Sequence, residues 1–274
     1  MKQVSYFSAA ALLCAALASC SSKPQAEPEP AAKADTTATE AAAPDSIVAE
    51  EPAVEPFGVQ RVKVKKENKN AEYEVEIDLP AAGPEAVQKA ITRHLLQLCG
   101  IEKPTSASPK AQLEKVAAGF LAEATDCAAD FEDNADMMKW SSENEIKLET
   151  SNPKFITYKV ETYDYTGGAH GNGLSRHFCF DAQTGEKVTW KKVFKGSSAA
   201  QMTAMIKREL KRQAQLDSFN DFHLPEFVAF GDKGLYVEYD HYEIACYADG
   251  APSCTLPYSK ISAHLTDYGR SLIP

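Results

Sequence analysis

The clearest pattern along the chain is a strict alternation of apolar and acidic residues between positions 72 and 79. A period of two residues is typical of a strand that buries one face. The apolar positions are Tyr73, Val75, Ile77 and Leu79. Val62 and Val64 mark a partner strand, which the polar turn at 67–70 joins to the first. The folded part of the chain is therefore expected to begin with a pair of strands.

Helical periodicity follows this strand pair in two segments. Pro84 favours the start of the first helix and Gly100 favours its end. The apolar residues on one face between them are Val87, Ile91, Leu95 and Leu98. The second segment begins at Ser108–Pro109, and its apolar residues at helical spacing are Leu113, Val116, Phe120, Ala124 and Cys127. Both stripes are interpreted as surfaces that face the core.

The second half of the chain is predicted to be rich in strands around a single strong helix. The predicted strands cover 155–165, 174–181, 226–230, 235–239 and 241–247. Ser197 or Ser198 caps the helix, whose apolar side contains Met202, Met205, Ile206 and Leu210. A short helix is expected after Pro257. Because strands and helices occur in blocks, the pattern indicates an α+β fold with a largely antiparallel sheet.

The N-terminus has the features of a secretory signal peptide. Lys2 supplies a positive charge, and the apolar stretch at 9–17 is much shorter than the roughly 20 residues that span a bilayer. Leu17-Ala18-Ser19-Cys20 resembles the lipobox of bacterial lipoproteins, in which the cysteine thiol receives a diacylglycerol. Residues 1–19 are therefore expected to be removed as a signal peptide, and Cys20 is expected to carry a lipid that anchors the protein.

Composition divides the rest of the chain into a tether and a folded part. Residues 20–56, which begin with the lipidated cysteine, are rich in Ala, Pro and Glu and contain no aromatic residue. Such a segment cannot bury enough apolar surface to fold, so it is expected to be disordered. The folded part is expected to form an N-terminal α+β module at 57–150 and a strand-rich module at 151–274.

Charge excludes one class of partner. The formal net charge is −10, and more than half of it lies in the tether, which has two lysines and eight acidic residues. The folded part is therefore only mildly acidic, and it has no basic patch of the kind that nucleic acid requires. Nucleic-acid binding is not expected.

Five cysteines follow the lipobox, and in an exported protein they are disulfide candidates before they are metal ligands. Cys246 and Cys254 flank a short, turn-rich loop, and a disulfide between them is expected. Cys99 and Cys127 each lie near the end of a predicted helix, and whether they pair is left open. The odd count leaves Cys179, whose position in an apolar strand indicates burial.

No motif in the folded part names a reaction. The Gly-rich loop at 166–173 lacks the order G-x-G-x-x-G and leads into a strand, so it is interpreted as a loop that needs positive φ or close packing. No two histidines have the spacing of a metal site on one helix face, and there is no G-x-S-x-G elbow. No catalytic, cofactor-binding or metal-binding residue is therefore assigned, and the protein is not expected to be an enzyme.

The candidate ligand-binding residues come from the Gly-rich loop and from a late cluster of aromatic residues. His170 lies in the loop, and Asn172 lies beside it. Tyrosine is common in sheet cores, but it is also enriched at recognition surfaces. Tyr239, Tyr242 and Tyr247 are therefore the candidates for a binding face in the aromatic cluster.

Several runs in the second half resemble a known family. They are YTGGAHGN (165–172), FD (180–181), TGE (184–186), GLYVEY (234–239) and YEIACYA (242–248). Together they resemble the extracellular domain of the lysozyme-sensing anti-sigma factor RsiV, a segment that also occurs beside catalytic domains in PdaC-like peptidoglycan deacetylases. The resemblance covers roughly residues 150–265. The preceding strand–strand–helix block is similar to the companion module of that family.

The sequence also departs from these relatives, which narrows the expected function. It has neither the cytoplasmic segment and membrane span of RsiV-like regulators nor the Asp and His-x-x-x-His metal set of the deacetylases. The expected function is a non-enzymatic cell-envelope lipoprotein whose domain binds an extracytoplasmic protein or glycan, such as lysozyme or peptidoglycan. The alternatives are an enzyme or accessory module acting on envelope glycans, with His170 as the catalytic candidate, and a structural lipoprotein with a protein partner in the envelope.

The lipid anchor is the expected contact with a membrane. Ser21 and Ser22 follow the cysteine, without the aspartate that retains lipoproteins at an inner membrane. The outer membrane is therefore the expected location, with the domain on its periplasmic or surface side. No cofactor is expected.

Overall fold

The computed structural model describes residues 57–130 and 139–273. The signal peptide, the lipidated Cys20 and the disordered tether, all predicted within residues 1–56, lie outside the described residues. The described residues form helices and mostly antiparallel sheets, which confirms the predicted α+β class. None of the helices in these ranges is both long enough and apolar enough to cross a membrane.

A five-stranded sheet in the order β1-β2-β3-β4-β5 organises the first part of the fold. Its strands are Val59–Glu67 (β1), Ala71–Pro80 (β2), Trp140–Ser151 (β3), Phe155–Tyr165 (β4) and Asn172–Asp181 (β5). β2 and β3 run parallel, and the other neighbours are antiparallel. The turn between β1 and β2 lies where it is predicted. The Asn68 side chain stabilises this turn, because it accepts hydrogen bonds from the N–H groups of Asn70 and Ala71 at 2.8 Å.

Two helices pack on one face of this sheet, as the apolar stripes predict. Helix α1 (Glu85–Leu98) follows Pro84 and ends before Gly100, whose φ of +81° suits glycine. Helix α2 (Pro109–Ala129) begins after Ser108, whose hydroxyl accepts a hydrogen bond from the helix backbone at 3.3 Å. Residues of both helices and of the sheet share one core: Val75, Ile77, Ile91, Leu95, Leu113, Ala117 and Ile146.

A second sheet of three strands packs against one end of the β4–β5 pair. Its strands are Ala229–Gly231 (β6), Gly234–Glu238 (β7) and Ser253–Leu256 (β8), and the helices of this part are Trp190–Val193 (α3), Ala199–Gln213 (α4), Tyr258–Ile261 (α5) and Asp267–Leu272 (α6). Phe155 and Cys179 of the first sheet belong to the second core. Thr157 Oγ1 donates to the Phe230 carbonyl at 2.7 Å. The boundary placed between residues 150 and 151 falls inside the last residues of β3, which pairs with β4 in the same sheet.

The predicted strand at 241–247 is wrong. Residues 241–245 form turns and bends, and the strand that pairs with β7 on this side is β8. Tyr242 has a φ of +65°, which a strand does not allow. The apolar pattern that suggested a strand belongs to a folded connection, in which Ile244 and Ala245 are buried and Tyr242 is exposed.

The predicted disulfide between Cys246 and Cys254 is also wrong, since the cysteines of the described residues are free. Cys254 is buried in the second core, whereas Cys246 is exposed and donates its thiol proton to Asp249 Oδ2 at 2.9 Å. A disulfide requires two side chains that point at each other, which proximity along the sequence does not ensure. Cys99 and Cys127 are free as well, and Cys179 is buried, as its strand position predicts.

Candidate ligand-binding surface

Two loops that lie far apart in the sequence bring four aromatic side chains together. His170, in the loop between β4 and β5, stacks on Tyr247 with a ring separation of 4.4 Å and an angle of 20°. The rings of His241 and Tyr242 lie 4.9 and 5.3 Å from that of Tyr247. These four residues are termed the aromatic patch. The patch faces solvent, since Tyr242 is 62% exposed and Tyr247 is 36% exposed.

Tyrosines of β4 hold the loop that carries His170. The Tyr165 hydroxyl donates to the Gly168 carbonyl at 3.0 Å. The Tyr163 ring packs so closely on Gly171 that a Cβ atom there would lie 2.5 Å from it. Gly168 has a φ of +93°. The loop therefore needs glycine both for close packing and for positive φ, as the sequence predicts.

A network of charges holds the connection between β7 and β8 against the edge of the five-stranded sheet. Arg176 on β5 donates to Glu243 Oε2 at 2.7 Å and lies 3.1 Å from Asp240 Oδ2. The other oxygen of Glu243 lies 3.1 Å from His223 Nε2. Burial raises the pKa of Asp240 above its ordinary value, although Arg176 opposes this effect. Because buried charges are stable only when paired, these contacts fix the connection to β5.

Tyr239 and Tyr242 have opposite environments in this connection. Tyr239 is buried, and its hydroxyl donates to the His223 carbonyl at 2.8 Å, so it supports the connection from the core side. Tyr242 has positive φ and an exposed ring. A non-glycine residue in this conformation costs energy, and such residues concentrate at functional sites. Tyr242 therefore combines a strained backbone with a large aromatic ring that is exposed to solvent.

Beside the connection, His177 on β5 lies between two carboxylates. Its Nε2 is 2.5 Å from Glu149 Oε2, and its Nδ1 is 2.6 Å from Glu238 Oε1. The Tyr236 ring stacks on the imidazole at 4.4 Å. Burial opposes a charge on His177, but its hydrogen bond with Glu238 and the charges of Glu238 and Glu149 outweigh burial and raise the pKa of His177 above its ordinary value.

An acidic concavity lies next to the aromatic patch on the exposed face of the five-stranded sheet. It has a volume of about 540 Å³. Its lining contains Lys65 and the six glutamates Glu72, Glu74, Glu76, Glu143, Glu145 and Glu161. Tyr163 also lines it, and the same ring packs on Gly171, one residue from His170. Five of these glutamates are paired with a lysine or arginine of the sheet, and Glu143 is the exception among the described residues, so the charge of the lining is largely neutralised.

The structure brings three of the five predicted ligand-binding residues together. His170, Tyr242 and Tyr247 form most of the aromatic patch. Tyr239 lies buried behind the patch, and Asn172 is exposed at the start of β5, where it is paired with a residue of β4. The aromatic patch thus combines the Gly-rich loop with the late aromatic cluster.

Sequence reasoning missed His241 and the residues that hold the connection in place. Arg176, His177 and Glu243 carry no motif, and only their contacts across the fold give them a role. The one indication of these contacts in the sequence is that acidic residues lie near a run of tyrosines. In the described ranges, no group of three His, Cys, Asp or Glu side chains is placed to hold a metal ion.

Comparison with known families assigns both parts of the fold. The family model described as "Deacetylase PdaC" matches residues 66–173, and the one described as "Protein of unknown function (DUF3298)" matches residues 191–259. The two models match separate segments of the chain, and these matches confirm the resemblance to the RsiV-type and PdaC-like family that the motifs predict. His170 lies in the first matched segment and Tyr247 in the second, so the aromatic patch joins the two domains.

Solved structures of the family have the same fold. A DUF3298-family structure from Bacteroides fragilis NCTC 9343 is 14% identical with a TM-score of 0.68, over 78% of this chain and 95% of that chain. One from Pseudomonas aeruginosa PAO1 is 18% identical with a TM-score of 0.53, over 78% of this chain and 96% of that chain. No curated protein matches the sequence. The domain pair fits an envelope-associated protein.

Proposed function

We propose that the protein is a non-enzymatic lipoprotein of the cell envelope, which captures a cationic protein such as lysozyme on its aromatic patch. The observation that carries this proposal is the stacking of His170 on Tyr247 at 4.4 Å, which joins both domains in one exposed surface. Aromatic rings with a polar end are favoured at recognition surfaces, because they bury a large area and lose little conformational entropy on binding.

Charge around the patch favours a basic ligand. The connection at 239–250 has no Lys or Arg, and its acidic residues are Asp240, Glu243 and Asp249. The neighbouring concavity adds the charge of Glu143, which pairs with no lysine or arginine of the described residues. Opposite charges on two partners speed their association and discriminate against wrong partners. Lysozyme is a basic protein, and it is the ligand of the regulator whose extracellular domain this chain resembles.

The proposal includes an anchor on Cys20. A lipid on this cysteine would hold the domain in the envelope, at the outer membrane, where extracytoplasmic proteins are encountered first. We expect Cys20→Ser to abolish incorporation of labelled palmitate and to release the protein into the soluble fraction. Unchanged labelling in this variant would show that the lipid is not on Cys20.

The first test is a calorimetric titration of the protein lacking residues 1–20 with lysozyme, with inhibition of lysozyme measured in parallel. We expect saturable binding, and we expect the double substitution Tyr242→Ser and Tyr247→Ser to weaken it by at least about tenfold, because truncating a central aromatic anchor costs about 2 kcal/mol or more. Val59→Ser is the matched control. Val59 is 38% exposed and lies on β1, the opposite edge of the sheet from β5.

The titration also separates protein capture from glycan capture. An absence of binding at high micromolar lysozyme would refute capture of this protein. Peptidoglycan fragments titrated into the same sample would then show whether the ligand is a glycan. Binding that survives the double substitution unchanged would place the ligand elsewhere on the molecule.

A second candidate function is an enzyme or accessory module that acts on envelope glycans. The match to the model described as "Deacetylase PdaC" favours it. His170 is its catalytic candidate, since it is exposed in a loop beside other aromatic side chains. Turnover of peptidoglycan fragments that is lost in His170→Ala would support this function. Equal turnover in the variant would exclude His170 as the reacting group.

A further inference from the structure

Both ring nitrogens of His177 face a carboxylate oxygen at hydrogen-bond distance. A neutral imidazole has one N–H donor and one lone pair, so it can bond to only one of two carboxylates and would set its lone pair against the other. The imidazolium ion donates to both. With both carboxylates ionised, the geometry therefore favours the charged form of His177.

The carboxylates on the two sides come from different sheets. Glu149 lies on β3 of the five-stranded sheet, and Glu238 lies on β7 of the three-stranded sheet. Glu149 is the residue left without a partner where the register between β3 and β4 shifts, between Leu148 and Thr150. A bulge of this kind re-aims a side chain, and bulges are enriched beside functional sites. The bulge in β3 places Glu149 against His177.

We propose that Glu149, His177 and Glu238 form a proton-controlled tie at the junction of the two sheets, which is closed while His177 is charged. When His177 loses its proton, Glu149 leaves both the ring and the Tyr236 hydroxyl of β7, so one link between the sheets opens while Glu238 stays bonded to β5. Because the aromatic patch combines a loop of the first sheet with a connection of the second, opening the tie weakens ligand capture. That last consequence rests on the proposed function, whereas the tie itself does not.

The surroundings of the ring determine its charge. The charged and titratable groups that face it are Glu149 from β3, Lys159 and Glu161 from β4, Arg176 from β5, and Tyr236 and Glu238 from β7, with Asp240 beyond. Lys159 is the cross-strand neighbour of His177, but its ammonium lies 2.9 Å from Glu161. Arg176 is held by Asp240 and Glu243. The two carboxylates in direct contact are therefore the dominant charges.

The structure also indicates which contact is lost. Glu238 Oε2 accepts the His177 backbone N–H at 2.6 Å, so Glu238 stays bonded to β5 whatever the state of the ring. Glu149 has only the Tyr236 hydroxyl at 3.2 Å as a further partner among the described residues, and its side chain is 34% exposed. Once the ring is neutral, Glu149 can turn to water.

The direction of the pH dependence follows from the raised pKa of His177. A group whose pKa is higher in the folded than in the unfolded protein stabilises the fold fully below its unfolded value, which is about 6.5 for histidine. That contribution is lost as the pH rises through the folded value. The tie is therefore closed below the ordinary pKa of histidine and opens as the pH rises through the raised pKa of His177.

The test uses the full chain in detergent with ¹⁵N-labelled histidine. We expect NMR to show both ring nitrogens of His177 protonated at pH 6.5, with a titration midpoint above the ordinary value for histidine. Glu149→Gln should lower that midpoint by about one pH unit, because it removes one of two contacting charges. His223→Gln is the control: it removes a histidine that faces one carboxylate, Glu243, and should leave the midpoint of His177 unchanged.

A stability measurement completes the test. Between pH 6.5 and 9, we expect the Tm of the wild type to fall by about 3–5 °C more than that of His177→Gln or Glu149→Gln. A glutamine at 149 has both a donor and an acceptor, so its contact survives loss of the proton. A neutral His177 at pH 6.5, or equal pH profiles in wild type and Glu149→Gln, would overturn the tie. If lysozyme does not bind at all, the proposed function fails, but these readouts still decide the tie.

Discussion

At Gly171, the absence of a side chain lets the β4–β5 loop fold back onto its own strand. A Cβ atom there would lie 2.5 Å from the Tyr163 ring and 2.7 Å from the Asp164 carbonyl oxygen. The Asp164 carbonyl oxygen cannot yield easily, because it belongs to the backbone of a paired strand, whereas the exposed Tyr163 ring can move. The position of His170, one residue away, therefore depends on this glycine.

We expect Gly171→Ala to destabilise the protein by about 1–3 kcal/mol, the usual cost of forcing extra volume into a packed site, and to weaken ligand binding through displacement of His170. Urea unfolding measures the first effect. Gly119→Ala is the control, because Gly119 is exposed in α2 and an added methyl group would meet no other atom within 4 Å. This control should stabilise the helix by about 0.5–1 kcal/mol. Equal effects at the two glycines would contradict the packing argument.

The site residues divide into those that the sequence can indicate and those that it cannot. His170, Tyr242 and Tyr247 were accessible because aromatic residues in a Gly-rich loop and in a late cluster stand out by composition. Arg176 and His177 were not, because an ordinary pair of polar residues on an edge strand gains its role only from carboxylates on other elements, up to 67 positions away. Tertiary contacts of this range leave no local pattern.

At the scale of elements, strands and helices were predicted correctly where the segments that they contact lie close in the sequence. The β1–β2 pair and the helices α1 and α2 follow from local periodicity, turn residues and caps. Strand β3 was missed because two of its inward positions are polar: Ser142 is buried, and the Asn144 side chain bonds to it at 3.0 Å. Its parallel pairing with β2 is also a long-range contact, which no turn signals.

The junction between β4 and β6 offers a test at this scale. Thr157 is buried, and its hydroxyl bonds to the Phe230 carbonyl. We expect Thr157→Val to destabilise the protein by about 1–3 kcal/mol, because it removes the donor and leaves a buried carbonyl without its partner. Thr157→Ser retains the hydroxyl and should recover part of the loss in thermal unfolding. Equal loss in both variants would assign the effect to packing of the methyl group.

At the scale of the whole molecule, the boundaries of the two matched domains do not coincide with the boundaries of the two cores. The second core includes Phe155 and Cys179 from the five-stranded sheet, and the aromatic patch takes His170 from one matched segment and Tyr247 from the other. A surface built in this way exists only when both domains are folded together. Ligand capture and the stability of the sheet junction are therefore expected to be lost together.

The reactivity of the cysteine thiols shows whether the two cores are packed. Burial raises the pKa of Cys99 and Cys254 to about 12 and that of Cys179 to about 11, and thiolates are the reactive form. Cys246 is exposed. In protein lacking residues 1–20, we expect a thiol reagent at pH 8 to modify Cys246 rapidly and the three buried thiols only on unfolding.

The unfolded protein should then expose five thiols in total, because all the cysteines after residue 20 are free. Cys246→Ser should remove the rapid phase and leave four. A count of three in the unfolded wild type, with no rapid phase before unfolding, would mean that Cys246 is engaged in a disulfide. Cys254 would then have to leave the second core, since it is buried on β8 while Cys246 faces solvent. The thiol count therefore tests the packing of β8 as well as the oxidation state of the chain.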